Sequence, residues 1–394
     1  MKTPLYISDF SLINALGRDN ETIKKNLLLG NNEGLVRVDN LLFDDEITVG
    51  AVQGELPCVN NYPVHLQSRN NQLALLALNN MREATNNIIN KFGQNRVAVI
   101  IGTSTSGISE GESAMKILQR DGQLPLHYDY HQQELFNTAE FISEVLGTTG
   151  VCLTISTACS SSAKAFKTAS EMIDSGIADA AIVGGVDTLC EMTINGFYSL
   201  NSTAKGNCQP SSINRDGINI GEAAALALIT KEKSDVKLLA VGESSDAYHM
   251  SAPQPEGEGA ISAMQAALNE ANLEATDIDY INLHGTATPK NDEMEATAIH
   301  SLFGSNIPCS STKSLTGHTL GAAGATEVGL TWLLLSNTSK EDCYPPHIFD
   351  GEIDATIPQI KLVAKNDNIS NPINTCLSNS FAFGGNNVSV IIGK

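Results

Sequence analysis

The apolar positions of this chain fall into short dense runs separated by stretches of helical period. Arg96-Val-Ala-Val-Ile-Ile101, Val151-Cys-Leu-Thr-Ile-Ser-Thr157, Asp279-Tyr-Ile-Asn-Leu283, Ile373 to Leu377 and Val388 to Ile392 have the length and β-branched content of buried strands. Residues 72–89, 164–173 and 260–271 read as helices, as does the small-residue segment after Ala322. In the second of these, Ala163, Phe166, Ala169 or Ser170, and Ile173 share one face. Strands alternating with helices predict an α/β architecture with buried sheets.

The pattern echoes itself. A helical segment, a strand and a small polar loop occur at 72–105, ending Gly102-Thr-Ser-Thr105, and again at 260–288, ending His284-Gly-Thr-Ala-Thr288. A short strand, a loop of chemically useful residues and a small-residue helix occur at 151–175 and again at 307–336. The mildly polar stretch Thr230 to Lys237 lies between the echoes. Two related halves are therefore expected, residues 1–235 and 236–394.

Composition narrows the function. Of 394 residues, 24 are Lys or Arg and 44 Asp or Glu, a net charge of −20. A field of that sign opposes sequence-independent nucleic-acid binding and attachment to anionic membranes. The longest apolar helical candidate, Val328 to Leu335, is too short to span a bilayer, and Met1 to Asp9 does not read as a signal peptide. The eight cysteines are scattered, without a CxxC or a Cys/His pair at zinc spacing. Reduced thiols in a cytoplasmic protein, with no disulfide framework and no metal site, are the expectation.

One cysteine stands apart. Cys159 lies between a strand and a helix in Thr157-Ala-Cys-Ser-Ser-Ser-Ala163, where unpaired N–H groups and the helix dipole would favour a thiolate and receive an oxyanion. His284 ends a strand, a position that faces the ligand crevice of an α/β sheet. His318 lies in Lys313-Ser-Leu-Thr-Gly-His-Thr-Leu-Gly-Ala-Ala-Gly324, five residues after Lys313. Asp292 and Glu295 follow His284 on a first helical turn, and one of them could pair with Lys313. Near the C-terminus, Phe383-Gly384-Gly385 joins two strand-like runs, and the glycines permit conformations and approaches that other residues forbid. A reactive Cys with one His fits many cysteine enzymes, acyl hydrolases included; two His and a Lys narrow the choice.

Together these motifs resemble those of the β-ketoacyl-acyl-carrier-protein synthases of the I/II type, condensing enzymes of the thiolase superfamily. The matching pieces are Thr157 to Ala163, Arg215-Asp-Gly217, His284-Gly-Thr-Ala-Thr-Pro289, Lys313 to Gly324, and Ser378-Asn-Ser-Phe-Ala-Phe-Gly-Gly385, in order along nearly the whole chain. The resemblance implies a five-layered αβαβα fold of two duplicated halves, and a dimer. It implies that Cys159 is the acylated nucleophile, that His284 and His318 serve decarboxylation, and that Lys313, with Glu295 as its partner, organises the field. It also implies that Phe383 is a gate, that the N–H groups of Cys159 and Phe383 form an oxyanion hole, and that acyl carrier protein delivers the substrates on phosphopantetheine without a metal or dissociable cofactor. The chain departs from the common fatty-acid pattern at Ile218, where Phe is usual, and at Ala382 and Asn386, where Gly and Thr are commoner. In this it is similar to ketosynthases of aryl-polyene-type type II polyketide pathways, which pair with a chain-length-factor homologue lacking the Cys; Cys159 would make this chain the catalytic member. The fatty-acid synthase proper, a thioester hydrolase or thiolase, and a non-catalytic subunit are the alternatives. Because carrier proteins are also acidic, docking requires a local basic cluster, for which Arg69, Lys116 and Arg120 are the candidates.

Overall fold

The dense apolar runs become strands because helices cover them on both faces. In the computed structural model, which describes residues 3–43, 45–336, 344–365, 367 and 372–394, the strands are β1 (Leu5–Ile13), β2 (Leu35–Leu42), β3 (Asp45–Gly50), β4 (Val97–Gly102), β5 (Cys152–Ile155), β6 (Ala180–Asp187), β7 (Ala223–Thr230), β8 (Val236–Ser245), β9 (Tyr280–Asn282), β10 (Pro308–Ser310), β11 (Lys361–Leu362), β12 (Thr375–Phe381) and β13 (Asn386–Gly393). β2 and β3 pair only with each other; the rest form one sheet in the order β11-β10-β9-β12-β13-β8-β1-β7-β6-β4-β5.

That order contains the duplication. From its outer edge the first half reads β5-β4-β6-β7-β1, and the second reads β10-β9-β12-β13-β8 with β11 added outside. In each half the middle strand of the parallel trio (β4 or β9) pairs parallel with both neighbours, the added β11 pairs parallel with β10, and the other pairings are antiparallel. The halves join where β1 meets β8 over Leu5 to Ile7, antiparallel.

Two helices, Ser161–Asp174 and Ala323–Ser336, each touch strands of both halves and so lie between two layers of sheet. Helices Arg69–Asn80 and Asn137–Leu146 cover the outer face of the first half, and Glu258–Ala271 that of the second. The result is the five-layered α-β-α-β-α arrangement. Strands covered on both faces carry no polar alternation, and β4, β6 and β7 are buried along their whole length. The apolar run Val328 to Leu335 belongs to the central helix Ala323–Ser336, buried almost all round. No helix of the described residues is long and apolar enough to cross a membrane.

The central helices pack closely because their facing positions are small. A Cβ on Gly324 would lie 2.6 Å from the Cβ of Ala163, and Ala325 N donates to Ser162 Oγ across the crossing at 2.8 Å. This contact brings the loop before one helix, with Cys159, against the loop before the other, with His318. Two local expectations differ. The helix expected over 72–89 is two helices, Arg69–Asn80 and Arg82–Phe92, separated at Met81. The strand expected to be buried at 151–157 is the short sheet-edge strand β5, whose Leu153 is exposed, because no further strand among the described residues pairs beyond it.

Candidate active site

Cys159 sits two residues before the helix Ser161–Asp174, in a turn forced by Ala158 at φ 53°. Ala287 (φ 63°) and Leu320 (φ 52°) hold the same costly left-handed conformation in the loops after His284 and His318. Non-glycine residues so placed store about 1–3 kcal/mol each and concentrate where loops are held for a purpose.

The three loops converge. His318 Nε2 lies 3.1 Å from Cys159 Sγ, and the two imidazoles meet edge to face with centroids 5.4 Å apart. Their other nitrogens are occupied by donors. Leu320 N donates to His318 Nδ1 at 3.2 Å, and Lys313 Nζ lies 3.5 Å from His284 Nδ1. A nitrogen that accepts carries no hydrogen, so both rings are Nε2–H tautomers. Burial, reinforced by the Lys313 charge, holds both histidines well below their ordinary titration range and therefore neutral.

Cys159, His284 and His318 also bring their donor atoms within 4.8 Å of one another, close enough for a metal. A ligating imidazole normally donates its second N–H to an acceptor. Here the second nitrogens face donors, so the site is built to present N–H groups and not lone pairs.

The partner of Lys313 corrects an expectation. Its ammonium, almost fully buried, donates to Glu327 on the central helix. Glu295 instead accepts from His284 N at 2.8 Å and Gly285 N at 2.7 Å, clamping the histidine loop; burial pushes its carboxyl up to about 7 against those bonds. Asp292 accepts from Ser211 N and Ala287 N and ties two loops together. Burial also raises Glu327, with Lys313 pulling the other way. A lone carboxylate in the apolar run of 323–336 was the signal that could have found it.

The thiol also differs from expectation. Burial pushes Cys159 up to about 11, outweighing the Lys313 charge and the N–H groups of Phe383 and Cys159 itself. Those two N–H groups do point at the sulfur region, as an oxyanion hole would require. Phe383 lies between β12 and β13, its ring tilted 41° against that of Phe197 with centroids 5.6 Å apart. Gly384 (φ 85°) and Gly385 (φ 79°) make the turn, and Gly384 N donates to Met250 O at 2.8 Å. A cavity of about 320 Å³ opens over Cys159, His284 and His318, with Phe197, Ile218 and Phe383 in its wall.

The candidate basic residues are not gathered at this cavity, whose walls include none of them. Arg69 makes a two-point ion pair with Glu222, which has no solvent exposure. Lys116 pairs with Glu191 and Arg120 with its neighbour Asp121. The basic residue in the cavity wall is Lys290, and exposed Lys205 stands on an adjoining groove that shares Asn201 and Asp216 with the cavity.

Comparison with known proteins agrees with this geometry. Residues 65–235 match the family model "Beta-ketoacyl synthase, N-terminal domain" and residues 236–344 the model "Beta-ketoacyl synthase, C-terminal domain". The 3-oxoacyl-[acyl-carrier-protein] synthase 2 of Staphylococcus aureus (strain COL) is 30% identical over 98% of this chain and 97% of its own length. The solved ketosynthase ApeO of Xenorhabdus doucetiae, in complex with its chain length factor ApeC, is 45% identical over 99% of this chain and 98% of that one, with a TM-score of 0.94. A β-ketoacyl synthase from Burkholderia phymatum STM815 is 26% identical over the full length of both chains, with a TM-score of 0.87. The chain belongs to the β-ketoacyl synthase family, and it is a condensing acyltransferase of fatty-acid or polyketide biosynthesis.

Proposed function

We propose that this chain is the catalytic ketosynthase of an aryl-polyene-type type II polyketide pathway, extending an acyl group held on Cys159 with malonyl-acyl-carrier protein. The observation that carries the chemistry is the pair of neutral imidazoles, each with its Nδ1 facing a donor, His318 with its Nε2 at the cysteine and His284 gathered with them within 4.8 Å. In the first half-reaction the Cys159 sulfur attacks the acyl thioester. The tetrahedral oxyanion is received by the N–H groups of Cys159 and Phe383, and the phosphopantetheine thiol leaves with a proton. In the second, the carbon–carboxylate bond of the malonyl thioester breaks and CO2 departs. The two Nε2–H groups hold the enolate oxygen, and the enolate carbon attacks the acyl-Cys carbonyl, releasing the thiolate. Lys313, held by Glu327, keeps both rings neutral and oriented. The reading calls for no metal and no dissociable cofactor, since the groups joined arrive as thioesters.

The pathway assignment is supported by 45% identity to ApeO along nearly the whole chain, against 30% to the 3-oxoacyl-acyl-carrier-protein synthase, and by Ile218 in the cavity wall. Fatty-acid elongation proper is the second reading. A carrier protein and a chain-length-factor-like subunit are the partners proposed. Exposed Leu124, Leu126, Tyr130 and Phe136, with Leu153 on the free edge strand, support a subunit contact. The seven described cysteines are free thiols, the state of a reducing cytoplasm; Cys343 lies outside the described residues. Intact-mass analysis after exposure to acyl-carrier proteins tests the reading: the wild type gains the acyl mass and Cys159→Ala does not. Condensation by Cys159→Ala would overturn it. A polyenoyl mass favours the polyketide pathway, a saturated one fatty-acid elongation.

A further inference from the structure

Asp187, the last residue of β6, is a carboxylate with no solvent exposure and no cation among the groups that hold it. Its Oδ1 accepts from Thr103 Oγ1 (2.8 Å), Ser104 N (2.8 Å), Thr105 N (2.7 Å) and Thr105 Oγ1 (2.7 Å). Its Oδ2 accepts from Ala322 N at 2.9 Å. The first four donors come from the loop after β4, in the first half. The fifth comes from the turn Leu320–Ala322 that follows His318, in the second. Gly321 leaves no slack at this junction: a Cβ there would lie 2.8 Å from Asp187 Oδ2 and from Ser104 N.

The gripped turn is the one that contacts the catalytic ring. Leu320 holds the left-handed conformation at φ 52°, which aims its N–H at His318 Nδ1. A leucine stays in that conformation only if its surroundings over-determine it, and the next attachment along the chain is Ala322 N, shared between Thr319 O inside the turn at 3.0 Å and Asp187 Oδ2, its anchor outside the turn, at 2.9 Å. We infer that Asp187 is a positioning residue: by fixing the 320–322 turn it holds the Leu320 N–H on His318 Nδ1 and so keeps the proton on the Nε2 that faces Cys159. The inference rests on the reading of His318 as a hydrogen-bond donor in the condensing reaction.

Asp187→Asn isolates the contact. Four donors surround Oδ1, so the amide oxygen of Asn stays there and the NH2 group turns toward Ala322 N, donor against donor. Nitrogen NMR of the full-length protein labelled with 15N-histidine reads the tautomer directly, with His318 assigned from the spectrum of His318→Gln. The wild type is expected as Nε2–H and Asp187→Asn as a mixture. Decarboxylation of malonyl-acyl-carrier protein should fall about 10–100-fold in kcat with KM unchanged, the scale on which a supporting partner or a lost donor acts. Alkylation of Cys159 by iodoacetamide should stay within about twofold, which a general collapse of the site would not permit. Asp187→Ser, small enough to admit a bridging water, should restore part of the tautomer preference.

Outcomes separate the two claims. A wild-type His318 found as Nδ1–H overturns the inference without any variant having to fold, and overturns the donor reading with it. A wild type that is Nε2–H, with Asp187→Asn keeping that tautomer and full decarboxylation, overturns the role of Asp187 alone. Full decarboxylation by His318→Ala overturns the reading on which the inference stands.

Discussion

Arg69→Ala discriminates a docking arginine from a structural one. Glu222 has no solvent exposure, and its Oε1 also accepts Val52 N at 3.0 Å. Arg69 satisfies both of its oxygens, through Nε at 2.9 Å and Nη2 at 2.5 Å. Removing one partner of a buried pair costs about 3–5 kcal/mol because the other charge is left without compensation. Arg69 is 38% exposed, so water enters on its side, and the low end, about 3 kcal/mol, is the expectation. At about 2.1 cal/mol/K per residue, 394 residues give an unfolding entropy of roughly 0.8 kcal/mol/K, so Tm should fall by about 4 °C. Arg69→Ala combined with Glu222→Gln should recover about 2 kcal/mol of that loss as coupling between neighbours. The carrier-protein KM should stay within about twofold. An Arg69→Ala protein with unchanged Tm and a several-fold higher carrier-protein KM would refute the reasoning and return Arg69 to the docking surface.

Docking is expected instead around the cavity mouth: Lys205→Glu and Lys290→Glu should each raise the carrier-protein KM several-fold while leaving Cys159 acylation by a small thioester unchanged, and Arg120→Glu should do neither. Because burial raises the Cys159 thiol, its alkylation rate should climb about tenfold per pH unit beyond pH 8, as thiolate accumulates; a plateau near pH 7 would mean that the helix terminus and the His318 N–H outweigh burial. Histidine protonation should not limit malonyl decarboxylation from pH 8 down through 6.5, since both rings take up protons only well below that range; a fall near pH 7 would belong to Glu295 or Glu327, whose carboxyls burial raises, and one that persists in both Glu295→Gln and Glu327→Gln would contradict the neutral histidines. Gly385→Ala and Gly384→Ala share a left-handed backbone, but a Cβ at 385 meets Asp246 Cβ at 3.0 Å whereas one at 384 meets nothing closer than 3.7 Å. The first should therefore slow transacylation about tenfold and the second cost only the backbone strain, about 1 kcal/mol; equal effects would remove the steric argument.

How much of this site could be read from the chain depended on how each residue is held. Cys159, His284, Lys313 and His318 stand in loops of small residues at strand ends and helix starts, and position alone marks such residues. Their partners are chosen in space. Glu295 follows His284 by one helical start and looked like the match for Lys313, yet its two oxygens are taken by the nearest orphan N–H groups, those of His284 and Gly285. Glu327 is fourteen residues from Lys313 with a sharp turn at Gly317 between, and only the folding back of the central helix brings them together. Asp187 and Glu222 stand at the ends of buried strands as unmarked carboxylates, because nothing in a local pattern records that distant segments, residues 103–105 and Ala322 for the one and Val52 and Arg69 for the other, will supply their donors.

The same distinction changes the meaning of the net charge of −20. Several of the acidic groups, among them Asp187, Glu222, Asp292, Glu295 and Glu327, are buried, and the charge or donors of nearby loops hold them there. Arg69, Lys313 and Arg215, which pairs with Asp354, are cations committed to carboxylates in the interior. A carrier protein therefore meets a surface with fewer free cations than composition implies. Lys205 and Lys290 matter because they stand at the cavity without a described ion pair, so a single reversal there should alter recognition far more than one elsewhere on the surface.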